Sequence, residues 1–319
     1  MVLHAAFLSA AAASNLTNTP PAAAARLPEP PSLPSSIERV FRVQLALARL
    51  GFSGGSIDGV LGPKTANAIR GYEISQGLPV TGRLEAVIDR LVLDMPPYRY
   101  YPITAEDVAR LRPVGATWLA KSQQDKLEYE TLLELVAEKH WASPTFTRRI
   151  NPSVDWDNLQ AGMTVLGLNT ASPVYPGKAA FIRINLAERV LQAWGDRTNL
   201  LAQFPCSIGQ DVFRSPVGEV QVDVLIPNPN YTFDPRIFPE SEEGRQLGRK
   251  LILPPGPNNP VGTVWIGLSR PGYGIHGTPK PEQIGRAESH GCIRLSNWNA
   301  ELLLQLCWVS MPVEILAGE

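Results

Sequence analysis

Three residues near the carboxyl end of the 319-residue chain have side chains suited to nucleophilic chemistry: His276, His290 and Cys292. They are two of the chain's four histidines and one of its three cysteines. A cysteine attacks a carbonyl carbon only as its thiolate, and a free thiol with a pKa of about 8.5 is mostly protonated at neutral pH. A neighbouring imidazole can remove that proton. The spacing therefore predicts a cysteine–histidine pair that acts on a carbonyl group.

The residues around this pair indicate how it is positioned. The segments GIH before it and CIRL after it alternate in polarity, which predicts two strands, and residues 278–288 between them have the composition of a loop. Gly277 and Gly291 follow the two histidines and allow close backbone approach. Backbone N–H groups around His290, Gly291 and Cys292 could then stabilise the oxyanion of a tetrahedral intermediate.

Other interpretations of the same residues stay open. Cys292 could be a buried apolar side chain. His276, His290 and Cys292 could bind zinc, although no fourth ligand stands at a motif spacing. His290 could serve as a structural hydrogen-bonding residue, and Arg294 could be a surface ion-pair partner.

The segments IHGT (275–278), IG (284–285) and SHGCIRLSN (289–297) resemble the catalytic motif of the L,D-transpeptidase (YkuD-type) family. The resemblance covers residues 178–316 and implies a mostly β catalytic domain. It implies that Cys292 is the nucleophile, that His276 is the general base and that the Gly277 carbonyl orients its imidazole. It further implies that the His290–Gly291–Cys292 backbone supplies oxyanion donors, and that Ser289 and Arg294 order the site or meet substrate carboxylates.

The composition sets limits on the class of protein. A length of 319 residues predicts two or three domains, and a net charge of −1 gives no argument for binding nucleic acid or an anionic membrane. Residues 1–34 are predicted to be a signal segment followed by a Pro/Ala-rich linker. The apolar run at 5–13 is too short to span a bilayer, and the first cysteine is Cys206, so a lipid-anchored lipoprotein is not expected. We expect an exported protein of the periplasm or cell wall.

Residues 35–95 are predicted to form a three-helix domain. Apolar residues recur at helical spacing before Gly51, and further helices are predicted at 64–76 and 84–93. The segments IDGVLGPKT and GLPVTG resemble a peptidoglycan-binding domain. A structural three-helix bundle that docks a partner is the alternative.

Residues 97–170 are predicted to form a small α/β module, with helices at 129–140 and 145–150 and a strand at 163–168. This order resembles a degenerate LysM-like repeat, which implies contact with glycan. His140 lies on the first of these helices, and we expect it to be structural.

Residues 175–319 are predicted to form the catalytic domain. Strands are expected within 178–218, a long loop without regular structure at 228–260, a helix at 298–306 capped by Asn297, and a strand at 311–316. Tyr231 in the long loop, with other aromatic residues there, and Tyr273 are candidates for substrate binding; the loop is either a substrate-covering flap or an ordered surface loop. Cys206 and Cys307 are expected in the core, where they could also pair as a disulfide.

Together these features predict an α+β multidomain protein: a small three-helix peptidoglycan-binding domain, a small LysM-like α/β module and a mostly β L,D-transpeptidase domain. The resemblance implies that a cysteine acyl-enzyme forms on peptidoglycan tetrapeptide stems and yields 3→3 crosslinks, without an organic cofactor or a metal. We expect a monomer that binds peptidoglycan and no nucleic acid.

The acyl acceptor stays open at this point. Water would make the protein an L,D-carboxypeptidase, and the lysine of an outer-membrane lipoprotein would make it an attachment enzyme. A non-catalytic wall-binding protein is the alternative of another class. A papain-type peptidase is remote, because no Asn or Asp that would orient its histidine stands out.

Overall fold

The computed structural model describes residues 27–208, 217–238, 240–285 and 292–318. Its helices are α1 Ser35–Arg49, α2 Pro63–Ser75, α3 Leu84–Val87, α4 Ala105–Arg110, α5 Trp118–Ser122, α6 Leu132–Lys139, α7 Pro144–Ile150, α8 Glu242–Leu247 and α9 Asn297–Leu306. Its strands are β1 Tyr98–Pro102, β2 Thr164–Leu168, β3 Phe181–Asn185, β4 Val190–Trp194, β5 Leu200–Pro205, β6 Gly218–Pro227, β7 Tyr231–Phe233, β8 Leu251–Leu253, β9 Val264–Leu268, β10 Gly274–His276, β11 Ile293–Arg294 and β12 Pro312–Leu316.

The amino-terminal unit consists of α1, α2 and α3, which bury one shared apolar core. Pro63 at the first position of α2 fits a helix start, because proline has the helical φ and the first N–H has no intrahelical partner. The third helix was predicted to run to residue 93, and that extent is wrong. The Arg90 N–H bonds to the Val87 carbonyl three residues back, so the chain tightens into a turn after Val87.

Residues 97–170 form the middle region of the chain. Its two strands, β1 and β2, pair antiparallel, with Tyr98 opposite Leu168. Four short helices lie between them, and α4 begins with a capping box in which the side chains of Thr104 and Asp107 bond to each other's backbone N–H groups. His140, just after α6, is buried and its Nδ1 bonds to the Leu168 carbonyl oxygen at 2.7 Å. The LysM-like interpretation of this region stays a prediction.

The carboxyl-terminal part is mostly β. Eight strands form one sheet in the order β11-β10-β9-β6-β12-β3-β4-β5, and the amphipathic helix α9 packs against β9 and β10. Cys206 and Cys307 are buried in the core of this sheet, and none of the three cysteines forms a disulfide. The described chain is therefore α+β, with a helical unit followed by a mostly β domain.

The segment 228–260 was predicted to lack regular structure, and that prediction is wrong. It contains β7 and β8, which pair antiparallel, and α8, which the Ser241 side chain caps by accepting from the Gly244 N–H. Phe233 of β7 is buried and stacks on Trp118 of α5 with ring centroids 4.4 Å apart. Tertiary packing against α5 therefore stabilises two strands that are too short to show a pattern in the sequence.

Across the described ranges, no helix combines the length and apolar character that a bilayer-spanning segment needs.

Candidate active site

The β10–β11 ladder brings the predicted base and nucleophile together. The two strands run parallel, with Ile275 beside Ile293 and His276 beside Arg294. Directly paired residues of a parallel ladder share a face, so His276 and Arg294 lie on one face. Cys292 stands directly before β11, where the Gly274 backbone N–H and the Arg294 charge act on its thiol. The ladder therefore places His276 and Arg294 on one face at the edge of the eight-stranded sheet, with Cys292 at the start of the edge strand.

His276 is held in one orientation. Its side chain is buried, it stacks on the Trp265 ring at 5.6 Å between centroids, and its Nδ1 lies 2.6 Å from the Gly277 carbonyl oxygen. Because a carbonyl oxygen only accepts hydrogen bonds, Nδ1 carries the proton of the neutral ring and Nε2 carries the lone pair. Burial lowers the pKa of His276 to about 4, against the opposing effect of the Gly277 bond and with a further lowering by the Arg294 charge. The imidazole is therefore neutral at pH 7 and able to accept a proton.

Cys292 is half-buried, and its thiol points toward the Gly272 carbonyl oxygen, 3.6 Å from Sγ. Burial raises the pKa of this thiol above its ordinary value, while the Gly274 backbone N–H and the Arg294 charge act in the opposite direction. At neutral pH the resting group is a thiol, so it needs a base to become nucleophilic.

Tyr231, one of the two tyrosines among the four predicted substrate-binding residues, lies close enough to Cys292 and Arg294 for their charges to affect its hydroxyl. Burial raises the pKa of its hydroxyl to about 12; the Cys292 charge adds to that rise and the Arg294 charge opposes it. Tyr273 lies just before β10, partly buried against the sheet, with the Arg270 guanidinium 4.8 Å above its ring. Ser289, His290 and Gly291 lie outside the described residues, so their roles stay predictions.

Asn297 was predicted to cap helix α9, and that role is wrong. Ser296 occupies the N-cap position, and Asn297 is the first helical residue. Its buried side chain turns away from the helix end: Oδ1 accepts from the Thr263 N–H at 3.2 Å, and Nδ2 donates to Glu138 Oε1 at 3.0 Å. A local signal cannot reveal this role, because both partners are distant in the sequence.

Within the ranges that the structure describes, no three His, Cys, Asp or Glu side chains converge in the manner of a metal site.

Comparison with known proteins gives matches in two parts of the chain. A family model described as the YkuD L,D-transpeptidase catalytic domain matches residues 179–315, and one described as a putative peptidoglycan binding domain matches residues 36–87. The putative L,D-transpeptidase YkuD of Bacillus subtilis strain 168 is 54% identical over 150 residues, which are 46% of this chain and 70% of that protein. The chain belongs to the YkuD-type L,D-transpeptidase family and carries an amino-terminal peptidoglycan-binding domain.

Two further similarities are weaker. The putative L,D-transpeptidase YkuD of Bacillus licheniformis is 27% identical over 166 residues, covering 52% of this chain and 81% of that protein. The solved structure of an L,D-transpeptidase from Mycobacterium smegmatis is 21% identical with a TM-score of 0.35, covering 48% of this chain and 66% of that one. A TM-score of this size adds nothing to the assignment, which stands on the Bacillus subtilis relative and the family models.

Proposed function

We propose that the protein is a cysteine-dependent L,D-transpeptidase that acts on peptidoglycan tetrapeptide stems and forms 3→3 crosslinks. The observation that carries the proposal is the shared face of the β10–β11 ladder. The ladder carries a neutral imidazole whose Nε2 holds the lone pair, and directly before β11 stands a thiol whose raised pKa makes it dependent on a base. These two states are the starting states of general-base-assisted nucleophilic catalysis.

The reaction has two halves. His276 Nε2 takes the Cys292 proton as Sγ bonds to the carbonyl carbon of the third stem residue. The tetrahedral intermediate collapses, the bond to the terminal D-Ala breaks, and the imidazolium gives its proton to the leaving amine. An amine of a neighbouring stem then attacks the thioester, with His276 accepting a proton from that amine. The new amide bond forms and the thiol is restored.

The negatively charged oxygen of the tetrahedral intermediate needs hydrogen-bond donors to stabilise it. The backbone N–H groups of the His290–Gly291–Cys292 segment are proposed to bind the oxyanion, and Ser289 and Arg294 to order the site or meet a substrate carboxylate. Arg294 supports this role by its position, since it pairs with His276 across the ladder. A fixed positive charge there also disfavours protonation of His276.

The amino-terminal domain is proposed to hold the enzyme on its polymeric substrate. The family match at residues 36–87 supports peptidoglycan as the ligand. A protein that acts on such a substrate is proposed to work outside the cytoplasm, in the periplasm or cell wall, and as a monomer. A lipoprotein lysine is the alternative amine acceptor.

The test is incubation of the full chain with a disaccharide-tetrapeptide, followed by liquid chromatography and mass spectrometry of the products. Wild type is expected to release D-Ala and to form a crosslinked dimer. Cys292→Ala should release none, because the covalent route is lost, and His276→Ala should be slowed by about 100-fold or more.

The matched control is Cys206→Ala, which removes a thiol that is fully buried in the apolar core of the sheet. It should keep its activity. Tripeptide without dimer would indicate hydrolysis by an L,D-carboxypeptidase. Absence of D-Ala from folded, reduced wild type would contradict the proposal and favour a wall-binding role.

A further inference from the structure

We infer that Glu138 and Asn297 are positioning residues for the catalytic base. Glu138, which lies on α6 before the catalytic domain, holds the Asn297 side chain, and Asn297 fixes the Gly277 peptide whose carbonyl orients His276. The inference rests on the proposed role of His276 as general base. It makes the middle region of the chain a structural part of the active site.

The Asn297 amide is held at three points. Nδ2 donates to Glu138 Oε1 at 3.0 Å and to the Pro257 carbonyl at 3.2 Å, and Oδ1 accepts from the Thr263 N–H at 3.2 Å. The side chain is only 1% exposed. A buried amide with both kinds of group satisfied has one favoured orientation, because rotation would leave polar atoms unpaired.

Two glycines close around this amide. A Cβ atom on Gly277 would lie 2.3 Å from Asn297 Oδ1, and a Cβ atom on Gly262 would lie 2.0 Å from the same oxygen. Gly262 also has a φ of +61°, which favours glycine. The amide is therefore in direct contact with the peptide that follows His276, and a shift of Asn297 moves that peptide.

The Gly277 peptide acts directly on the base. Its carbonyl oxygen lies 2.6 Å from His276 Nδ1 and so selects the tautomer with the lone pair on Nε2. A continuous series of contacts thus leads from Glu138 through Asn297 and Gly277 to His276.

The Glu138 carboxyl group changes its charge within the physiological pH range. Oε1 accepts from Asn297 and also from the Tyr129 hydroxyl at 3.1 Å. Burial raises the pKa of Glu138 to about 7, partly offset by those two hydrogen bonds. The anion accepts a stronger hydrogen bond than the neutral acid, so the hold on Asn297 strengthens as pH rises through this pKa.

Charged and titratable groups face Glu138 from several elements. The carboxylates of Glu134 on α6 and Glu301 on α9 add to the rise in its pKa. Arg110 at the end of α4 lies over the Tyr129 ring and pairs with Glu128. A cavity of about 490 Å³ beside Glu138 is lined by further charged side chains, those of Lys121, Glu130, Lys280 and Glu282.

The pH dependences of stability and of catalysis should have opposite signs. Because the folded-state pKa of Glu138 is raised, its protonated form favours folding, and this contribution to stability is lost as pH rises toward about 7. Over the same pH interval Glu138 becomes charged, and its hydrogen bond to the Asn297 side chain becomes stronger. A purely structural role for Glu138 would make activity follow stability.

The experiment compares wild type with Glu138→Ala, Glu138→Gln and the matched control Glu134→Gln. Glu134 is on the same helix and also has a raised pKa, but it bonds to Asn258 at 2.7 Å and not to Asn297. The readouts are kcat and KM for the tetrapeptide across pH, and the ¹⁵N NMR signals of the His276 ring, assigned by comparison with His276→Gln.

In Glu138→Ala we expect kcat to fall about 10- to 100-fold with KM little changed, because the base is misplaced by a fraction of an ångström. The His276 Nδ1 and Nε2 signals should move toward each other as the tautomers mix. Glu138→Gln keeps one accepting oxygen, so it should keep most of the activity and lose the rise in kcat/KM near pH 7. Glu134→Gln should keep the wild-type kcat at its plateau and the wild-type His276 ring signals, with the rise in kcat/KM moved to lower pH because a charge that raises the Glu138 pKa is gone.

The inference is overturned if Glu138→Ala leaves the His276 ring signals at their wild-type positions, whatever happens to stability. It is also overturned if Glu134→Gln reproduces the effects of Glu138→Ala. A wild-type protein that folds and shows no turnover would contradict the proposed function, while the NMR comparison would still test the positioning of His276.

Discussion

At the scale of single residues, burial keeps His276 and Cys292 uncharged at neutral pH. The pKa of His276 falls to about 4 and that of Cys292 rises above its usual value. Both side chains are then uncharged at rest, one as a thiol and the other as a neutral imidazole. A preformed thiolate–imidazolium pair would require shifts in the opposite directions.

This difference predicts the pH dependence of alkylation. The rate at which iodoacetamide modifies Cys292 should keep rising with pH beyond the pKa of about 8.5 of a free thiol, because burial raises the pKa of this thiol. Peptide mapping by mass spectrometry measures the rate. A plateau of high reactivity between about pH 5 and 8 would indicate an ion pair and contradict the account.

Cys206 and Cys307 provide the control for that measurement. Both are buried, and burial raises the pKa of each thiol to about 12. Folded Cys292→Ala should therefore remain unlabelled, and all three thiols of wild type should react once it is unfolded. Labelling of Cys206 in the folded protein would mean that the sheet core opens.

The sequence predicted the residues of the site that are close together along the chain, and it missed the distant ones. His276 and Cys292 lie in one short stretch, and their residue types and spacing indicate thiol chemistry. Glu138 lies 159 positions from Asn297, and no local pattern joins them. Asn297 before an apolar helix has the pattern of an N-cap, yet the side chain binds Thr263 and Glu138 because tertiary contacts satisfy it better.

At the scale of elements, the segment containing β7, α8 and β8 connects the middle region to the site. Trp118 of α5 stacks on Phe233, and Glu243 of α8 accepts hydrogen bonds from the Trp118 and Leu119 N–H groups at 2.8 and 2.7 Å. Tyr231, two residues before Phe233, lies toward Cys292 and Arg294. The packing of α5 on this segment therefore fixes one side of the active site.

The variant Trp118→Ala tests this connection. Loss of the stacked ring should lower the free energy of unfolding by about 2 kcal/mol and raise KM for the tetrapeptide, because Tyr231 loses its support. Urea unfolding and steady-state kinetics measure the two effects. Tyr100→Ala, an exposed aromatic on β1, is the control and should change neither. If Trp118→Ala is destabilised but its KM is unchanged, the segment containing β7, α8 and β8 does not contribute to substrate binding.

These short strands were missed because their burial depends on residues elsewhere in the chain. β7 and β8 have three residues each, too few for a periodic signal, and Phe233, Leu251 and Leu253 pack on Leu127 and on α5. Longer elements such as α1 and β12 were predicted from their own apolar spacing, since one face of each supplies the core contact.

At the scale of the whole molecule, the helical amino-terminal unit covers the edge strand β5. Phe52 forms a parallel bridge with Gln203, the Ser53 N–H donates to the Gln203 carbonyl at 2.9 Å, and the Gln203 N–H donates to the Gly51 carbonyl at 2.9 Å. Such pairing satisfies the backbone groups of a strand that would otherwise be exposed at the edge of the sheet. The two units should therefore unfold as one.

Gly71 on α2 is the position at which this docking can be broken. A Cβ atom there would lie 2.8 Å from the side chain of Gln203, so Gly71→Leu should force α2 away from β5. Calorimetry is expected to show one transition for wild type and two for the variant. Gly62→Leu, at a glycine with open space around it, is the matched control. A single, unshifted transition in Gly71→Leu would show that the docking contributes little.

The central claim is that Cys292 forms the acyl-enzyme, and intact-protein mass spectrometry tests it most directly. Wild type, Cys292→Ala and Cys206→Ala are each incubated with a carbapenem and, separately, with the disaccharide-tetrapeptide. We predict a single covalent adduct on wild type and on Cys206→Ala and none on Cys292→Ala. Folded, reduced wild type that gains no mass, or Cys292→Ala that gains the same mass, would contradict the claim.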